Sequence, residues 1–345
     1  MSVRSVPRRI IPVAVTAVAV LALAACGGPP APEAGGAAGE PVTEVNCGIE
    51  VTVPAPPERI YAFYQPAIET LHALGVSDRL VGTAYLDAPV LDEFARAQED
   101  VAYLPDLPTR EVLLAAEPDF VLSGYNNSFA ASGAETVSTR ADLAELGVRT
   151  WINAPLCPTE DGASDEAIDP AQVSMDTIYD DLRSLGRLLG AQERADELVA
   201  DLQGRVTAVQ ERVEGKPKPR VAILLNDDDG SYRVASGIDF GSRILEMAGA
   251  ENAFADLTER RHVAVSKEEL IARDPDIILT STCCDPATVD ADGESDVAQI
   301  MGDPALSGST AVRENAVHPF LFANRAASLR APYAAEQVAD LVHPE

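Results

Sequence analysis

Positive charge is scarce in this 345-residue chain, which carries 26 Lys and Arg against 55 Asp and Glu, for a formal net charge of −29. A protein that binds nucleic acid neutralises phosphates with clustered Lys and Arg, so we expect no nucleic-acid partner. Lysine occurs at positions 216, 218 and 267 alone. Arginine supplies nearly all of the positive charge, and an Arg at the tip of a loop is therefore notable.

Histidine is scarce too, and the motifs of several enzyme classes are missing from the sequence. Four His occur in the whole chain, whereas a site for a bare transition metal usually collects three or four His and carboxylate ligands. We therefore expect neither metal ligands nor a cofactor. The sequence contains no Gly-rich phosphate loop, no nucleophile elbow and no His-Glu-x-x-His motif. These absences argue against an enzyme.

Long apolar runs are confined to the beginning of the chain. Three arginines precede an apolar segment over residues 10–25 that is too short and too poorly flanked to span a membrane. This predicts a signal peptide over residues 1–25, and its end, Leu23-Ala24-Ala25-Cys26, resembles a bacterial lipobox. The resemblance implies cleavage before Cys26 and the addition of lipid to its sulfur, which would anchor the protein to the cell membrane, outside the cytoplasm. An ordinary secretory signal with a chance Cys is the alternative.

Besides Cys26 the chain contains four cysteines, and an even number favours disulfides in an exported protein. Four cysteines allow three pairings. Cys47 and Cys157 both lie in the first half of the chain, so we favour a bridge between them and a second bridge between the neighbours Cys283 and Cys284. Free thiols at some of these positions are the alternative.

A stretch with helical periodicity separates two similar halves of the chain. Apolar residues recur at helical spacing over residues 169–214 with Gly190 as an interruption, which predicts two consecutive helices or one kinked helix. On either side, strand patterns alternate with helix patterns, as is typical of mainly parallel sheets covered by helices. The predicted fold is α/β, with two Rossmann-like lobes joined by a long rigid helix and a ligand cleft between them. The predicted segments are a flexible tether over 26–44, a first lobe over 45–168, the helical backbone over 169–214 and a second lobe over 215–345.

One sequence phrase occurs in both halves. Residues 109–123 and 266–280 each place a Glu seven residues before a Pro-Asp pair, and a short apolar run follows. A helix that leads into a parallel strand starts level with the carboxyl end of that strand, where the cleft of an open α/β sheet lies. Glu111 and Glu268 should therefore stand beside the cleft, one on each lobe. Helix capping and the helix dipole would also favour a Glu at each position.

Further motifs occur in a fixed order along the chain. They are Pro57-Glu58-Arg59-Ile60, Ile68-Glu-Thr-Leu-His-Ala-Leu-Gly75, Arg79-Leu80-Val81-Gly82, Leu185-Gly-Arg-Leu-Leu-Gly190 and Gly249-Ala-Glu-Asn252. Together with the repeated phrase and the lipobox, this set resembles the helical-backbone class of ABC-importer substrate-binding proteins, which carry ferric siderophores, haem or cobalamin.

The resemblance implies two α/β lobes that move little when a ligand binds, because a helix joins them. It implies that the protein captures an iron(III)–siderophore chelate and delivers it to a membrane permease, with Glu111 and Glu268 docking onto arginine pockets of that permease. Cobalamin or haem is the alternative ligand within this class, and a two-lobed enzyme such as a chelatase or an epimerase is the alternative from another class. We expect a monomer whose contact with the membrane is its lipid anchor.

Candidate ligand contacts lie in loops that follow predicted strands. Aromatic rings can pack against a siderophore or corrin surface, and Arg offers a planar fork for carboxylate or catecholate oxygens. The same aromatic side chains could instead pack in the core or at its rim. The candidates are Tyr64, Gln65, Tyr85, Tyr125 and Asn126 in the first lobe and Asn226, Asp227, Arg261 and Arg325 in the second.

Overall fold

Two β-sheets, each packed against helices, form the two lobes of the protein. The computed structural model describes residues 40–133, 135–158, 169–226 and 231–344. The predicted signal peptide, the lipidation candidate Cys26 and the ligand candidate Asp227 lie outside these residues. Among the helices of the described ranges, none combines the length and the apolar composition that a membrane span needs.

An antiparallel hairpin lies ahead of the first lobe, with strand β1 at Val42–Asn46 and strand β2 at Ile49–Val53. Its turn residues Cys47 and Gly48 have φ values of 51° and 76°, and a two-residue type I′ turn requires positive φ at both positions. The flexible tether was predicted over residues 26–44, but its last three residues belong to strand β1.

The first lobe is built on a sheet that is parallel throughout. Its elements in chain order are β3 (Ile60–Phe63), α1 (Tyr64–Ala73), β4 (Leu80–Ala84), α2 (Asp92–Glu99), β5 (Tyr103–Leu104), α3 (Arg110–Ala115), β6 (Phe120–Ser123), α4 (Arg140–Glu145) and β7 (Arg149–Ile152). The strand order is β5-β4-β3-β6-β7. Every residue of β3 and β6 is buried, which explains their continuous apolar character, since parallel strands are covered on both faces.

Two helices join the lobes, α5 at Met175–Leu188 and α6 at Gln192–Val213. Gly190 separates them with a φ of +66°, so the stretch forms two helices rather than one kinked helix. With 22 residues, α6 is about 33 Å long. Near its start Arg194 Nε donates to Ala73 O of the first lobe at 2.9 Å, and near its end Arg212 donates to Asp340 of the second lobe at 2.6 Å. Helix α6 is therefore the connection that spans both lobes.

The second lobe contains a mixed sheet. Its elements in chain order are β8 (Arg220–Asn226), β9 (Tyr232–Ala235), α7 (Phe240–Met247), β10 (Glu251–Asn252), β11 (His262–Val265), α8 (Lys267–Arg273), β12 (Ile277–Thr282), α9 (Val289–Gly302), α10 (Thr310–Arg313), β13 (Val317–Leu321), α11 (Phe322–Arg325) and α12 (Ala331–Val342). The strand order is β11-β9-β8-β12-β13, and β10 pairs with β8. The β8–β9 and β9–β11 pairs are antiparallel, whereas β12 is parallel to both of its neighbours.

The repeated Pro-Asp phrase connects a helix and strand to the start of a neighbouring strand in both lobes. The Asp119 carboxylate accepts from the backbone N–H of Glu58 and Arg59 just before β3, at 2.9 and 3.1 Å. In the second lobe, the Asp276 carboxylate accepts from the N–H of Arg220 at the start of β8, at 2.7 Å. The guanidinium of Arg59 donates to two carbonyls just after α3, and that of Arg220 donates to the last carbonyl of α8. In each lobe, the phrase therefore provides hydrogen-bond acceptors for N–H groups at the start of a strand. An Arg at the same strand start donates to carbonyls at the end of the helix.

Two disulfides join the cysteine pairs that the sequence favoured. Cys47–Cys157 ties the hairpin turn to a residue 110 positions away, beyond β7. Closing a loop of about 100 residues stabilises a fold by about 4.7 kcal/mol in the chain-entropy model. Cys283–Cys284 joins adjacent residues, so it constrains almost no chain and contributes little by the same mechanism.

A buried ion pair connects the lobes directly. Glu69 on α1 is 0% exposed and Arg330, just before α12, is 4% exposed. Two guanidinium nitrogens of Arg330 donate to the two carboxylate oxygens of Glu69, at 2.7 and 2.6 Å. The carboxylate also accepts from Gln65 Nε2 and from the N–H of Leu91, both at 2.9 Å, and Arg330 donates to Pro89 O at 2.5 Å. We call Glu69 and Arg330 the interlobe pair.

Removing one charge of the interlobe pair should destabilise the protein strongly. In a Glu69→Gln variant the Arg330 charge stays buried without its counter-ion, and we expect unfolding to become easier by about 3–5 kcal/mol. The control is Asp340→Asn at the exposed Arg212–Asp340 pair, which should cost less than about 1 kcal/mol. Urea unfolding of the three proteins measures both values, and equal losses in the two variants would contradict a buried ion pair.

Candidate functional site

Three tyrosines of the first lobe meet at the carboxyl ends of its strands. Tyr64 follows β3, Tyr85 follows β4 and Tyr125 lies just after β6. The ring centroids of Tyr64 and Tyr85 are 5.0 Å apart, and those of Tyr64 and Tyr125 are 5.1 Å apart with perpendicular planes. These are favourable geometries for aromatic pairs. The structure therefore brings together three of the ligand candidates, which we call the tyrosine cluster.

The backbone of the tyrosine cluster is unusual. Tyr64 has a φ of 68° and Tyr85 a φ of 64°, a left-handed conformation that bulky residues rarely adopt and that is found preferentially at binding sites. Gly124 allows the close packing, since a Cβ there would lie 3.0 Å from Cβ of Tyr64. Sequence reasoning missed Gly124, because its role depends on the close approach of the start of α1 to the residue after β6.

Glu135 is a further member of this region that sequence reasoning missed. One of its carboxylate oxygens lies 3.4 Å from the Tyr64 hydroxyl and also accepts from Asn127 Nδ2. Burial raises the pKa of Tyr64 far above its usual range, and the nearby Glu135 charge adds to the rise. The Tyr64 hydroxyl is thus protonated at physiological pH and donates to Glu135.

Two buried arginines of the second lobe share one carboxylate. Arg261, Arg325 and Asp239 are 1%, 0% and 0% exposed in their side chains. Nε of Arg261 and Nη1 of Arg325 each lie 3.2 Å from an Asp239 oxygen. Burial would raise the pKa of Asp239, but the charges of Arg325 and Arg261 hold it below its ordinary value. Asp239 also caps α7 by accepting from Gly241 N at 2.8 Å, so it fixes both arginines to a helix start.

His262 completes this group, which we call the arginine cluster. The guanidinium of Arg325 donates to Nε2 of His262, so this nitrogen carries no proton. Burial lowers the pKa of His262 to about 2, and the charges of Arg325 and Arg261 contribute to the shift. The imidazole is therefore neutral over the physiological range and acts as a hydrogen-bond acceptor. Neither His262 nor Asp239 was among the sequence candidates.

The two clusters face each other across the lobes. The guanidinium carbon of Arg261 lies 5.7 Å from the ring centroid of Tyr125, within the range of a cation–π contact. One wall of the site is thus aromatic and the other presents planar arginine forks. Such a site can hold a ligand that has a broad apolar or π surface and anionic oxygens. A bulky ligand must displace the contact between Arg261 and Tyr125.

The structure places the other ligand candidates outside the two clusters. Gln65 supports the interlobe pair, since Nε2 donates to Glu69 and Oε1 accepts from Ala88 N at 3.2 Å. Asn226 Nδ2 donates to Asp296 at 3.1 Å and lines a pocket of about 320 Å³ in the second lobe. Asn126 is buried next to Tyr125. The hydrogen bonds of Gln65 and Asn226 thus lead to Glu69, Ala88 and Asp296 and not to the arginine cluster.

Glu111 and Glu268 hold equivalent positions. Each is exposed and is the second residue of its helix, α3 or α8. The preceding hydroxyl residues, Thr109 and Ser266, cap these helices by accepting from a backbone N–H at 3.4 and 3.1 Å. Hydrogen bonds from its own backbone N–H and from Thr109 lower the pKa of Glu111. Helix capping therefore accounts for part of the preference for Glu at position 111.

The protein should lose stability in acid through His262. Because its folded-state pKa of about 2 lies below the ordinary 6.5, the unfolded chain takes up a proton below about pH 6.5 that the folded chain does not. Stability should fall by about 1.4 kcal/mol per pH unit through this group, or about 2 kcal/mol by pH 5. A His262→Gln variant, whose amide oxygen can still accept from Arg325, should lose less stability over that range in thermal unfolding. A pH dependence equal to that of the unchanged protein would contradict a neutral buried His262.

Comparison with known proteins places this chain in a family. The family model described as "Periplasmic binding protein" matches residues 60–318. A cobalamin-binding protein of Halobacterium salinarum is 26% identical over 247 residues, which cover 71% of this chain and 60% of that protein. An uncharacterized ABC transporter substrate-binding lipoprotein of Bacillus subtilis, YvrC, is 24% identical over 236 residues, which cover 67% of this chain and 66% of that protein. The chain thus spans less than two thirds of the length of either relative.

A solved structure supports the same assignment. The ABC-type Fe³⁺-hydroxamate transport system protein of Saccharomonospora viridis superposes with a TM-score of 0.70 at 28% identity, covering 88% of this chain and 100% of that one. The similarity includes both lobes and the helices between them. With a family match that runs from β3 into β13, the chain belongs to the periplasmic binding protein family.

Proposed function

We propose that this protein is the extracytoplasmic solute-binding component of an ABC importer and that it captures an iron(III)–siderophore chelate. The observation that carries the proposal is the tyrosine cluster facing the buried arginine cluster across the lobes, with Arg261 5.7 Å from the Tyr125 ring. The similarity to a protein of an Fe³⁺-hydroxamate transport system supports this ligand class. The iron in this proposal is cargo that arrives already chelated.

The chemistry of a siderophore chelate suits the two walls. Its outer surface combines apolar linkers with oxygens that carry negative charge, and tyrosine rings and arginine forks recognise these two features separately. Asp239 holds both guanidinium groups in place before a ligand arrives, so little side-chain entropy remains to be lost on binding. The ligand oxygens would then receive donors that are already oriented.

Cobalamin is the second candidate ligand, and the similarity to a cobalamin-binding protein favours it. A corrin also offers a broad apolar surface and polar side groups to the same walls, and haem offers a porphyrin face with two carboxylates. A two-lobed enzyme such as a chelatase or an epimerase remains the alternative from another class, and conversion of the ligand would reveal it.

A ligand panel tests the proposal. Isothermal titration with ferric hydroxamate, ferric catecholate, ferric citrate, haem and cobalamin should give 1:1 binding of a ferric siderophore without chemical change. Arg261→Lys keeps the charge but removes the planar fork, so it should weaken this binding by about tenfold or more. The control is Arg243→Lys at an exposed ion pair, which should leave the affinity unchanged. Tight binding of cobalamin or haem alone would overturn the siderophore assignment, and turnover would overturn the carrier.

Delivery to a permease is the second part of the proposal, with Glu111 and Glu268 as the docking residues. Both are exposed at equivalent helix starts, one on each lobe, and opposite charges across an interface set its register and its association rate. The proposal also places the lipid on Cys26, so that the monomeric protein is anchored beside the permease and has no other membrane contact.

Charge reversal separates docking from ligand binding. The double variant Glu111→Arg/Glu268→Arg should abolish uptake of the chelate in cells while the purified protein keeps its ligand affinity. The matched control is Glu145→Arg/Glu211→Arg, which changes the net charge equally at two other exposed helical positions and should preserve uptake. Normal uptake with the first variant would contradict the docking role.

A further inference from the structure

The adjacent cysteines lie beside a carboxylate of the opposite lobe. Cys283 and Cys284 follow β12 in the second lobe, and Asp87 lies in the loop after β4 in the first. The two sulfurs and a carboxylate oxygen of Asp87 all lie within 4.8 Å of one another. β4 and β12 both point their carboxyl ends at this spot, so the three side chains meet where the two lobes adjoin.

Further carboxylates surround the same spot. Burial raises the pKa of the Tyr103 hydroxyl, and the charges of Asp285, Asp87 and Asp106 add to the rise. This hydroxyl accepts from the N–H of Leu86, next to Asp87, at 3.3 Å. Asp87 and Asp106 of the first lobe and Asp285 of the second thus lie near this hydroxyl.

The Cys283–Cys284 bridge needs an explanation other than chain stabilisation. It joins neighbours, whereas Cys47–Cys157 spans 110 positions, and the stabilisation from a disulfide grows with the length of the loop it closes. Cys284 is exposed and Cys283 is partly buried, so a thiol reductant can reach the bond. Asp87, by contrast, is 2% exposed and its position is set by the fold.

We propose that Cys283, Cys284 and Asp87 form a redox-gated site for a thiophilic divalent cation such as Zn²⁺, and that the bound cation joins the two lobes. A dithiol reductant breaks the Cys283–Cys284 bond, delivers two electrons and two protons, and is itself oxidised to a disulfide. The cation then binds both sulfurs as thiolates, which releases two protons, and takes Asp87 as its third ligand. Solvent or a ligand atom supplies the fourth position.

The oxidised protein should not bind the cation at this place. Disulfide sulfurs carry no charge and are weak ligands, while thiolates select zinc and cadmium over harder cations. Since two ligands come from one lobe and one from the other, the cation would add a second connection across the cleft, apart from the interlobe pair. The site shares no side chain with the tyrosine and arginine clusters, so it stands or falls independently of the proposed siderophore.

Cadmium titration of the full chain tests this site. The protein is reduced with a dithiol, freed of reductant without air, and titrated with Cd²⁺ while the ultraviolet thiolate-to-cadmium absorbance is followed; Zn²⁺ is then added in competition. The reduced protein should bind one Cd²⁺ per chain more than a reduced Cys283→Ser/Cys284→Ser variant, in which the other cysteines remain. The oxidised protein should lack this binding, and the reduced protein should unfold at a higher temperature when Zn²⁺ is present.

Asp87→Asn tests the contribution of the first lobe. Losing a ligand oxygen charge should weaken Cd²⁺ binding to the reduced protein by about tenfold or more. The control is Asp100→Asn, at an exposed acidic residue of the same lobe outside the ligand set, which should change the binding by less than about threefold. Equal binding by the reduced protein and its double Ser variant would overturn the site. An unchanged affinity in Asp87→Asn would overturn the connection between the lobes.

Discussion

The buried pair of Glu69 and Arg330 is the constraint on which the geometry of this protein depends. Both charges are withdrawn from water and both carry several hydrogen bonds. Glu69 lies on the helix that begins with Tyr64, and Arg330 lies five residues after Arg325. The tyrosine cluster is therefore only a few residues along the chain from Glu69, and the arginine cluster is only a few residues from Arg330. Helix α6 adds a rigid connection of about 33 Å beside it.

The proposed recognition of an anionic ligand would depend on charge that is buried in advance. The protein has a formal charge of −29, which would repel an anionic ligand, but salt screens exposed charges beyond about 8–10 Å. Arg261 and Arg325 are hardly screened, because they are buried, and Asp239 orients them. The neutral His262 accepts from Arg325 without adding a third positive charge. Local electrostatics at the cleft can thus differ in sign from the surface as a whole.

The sequence predicted the features that repeat at short range. The Glu-to-Pro-Asp phrase indicated two equivalent helix–strand units, and the structure shows that Asp119 and Asp276 bond the starts of β3 and β8 in the same way. Tyr64, Tyr85 and Tyr125 were candidates because they come just after strands, and parallel strands end at one edge of a sheet. Arg261 and Arg325 were expected in loops after strands, but Arg261 lies directly before β11 and Arg325 is the last residue of α11.

Contacts between distant segments were beyond the reach of sequence patterns. Glu69 and Arg330 are 261 residues apart, and an acidic residue in an apolar helix gives no sign of its partner. Asp239 has the position of an ordinary helix cap, and its bonds to two arginines depend on where β11 and α11 pack. Sequence patterns likewise did not indicate that Asp87 lies beside two cysteines of the other lobe.

The most direct test of this account is a crystal structure of the protein with a bound ferric hydroxamate chelate. We predict that the chelate lies between the tyrosine cluster and the forks of Arg261 and Arg325, with the Glu69–Arg330 bonds intact. A chelate bound elsewhere, or lobes that separate with the Glu69–Arg330 bonds broken, would contradict it.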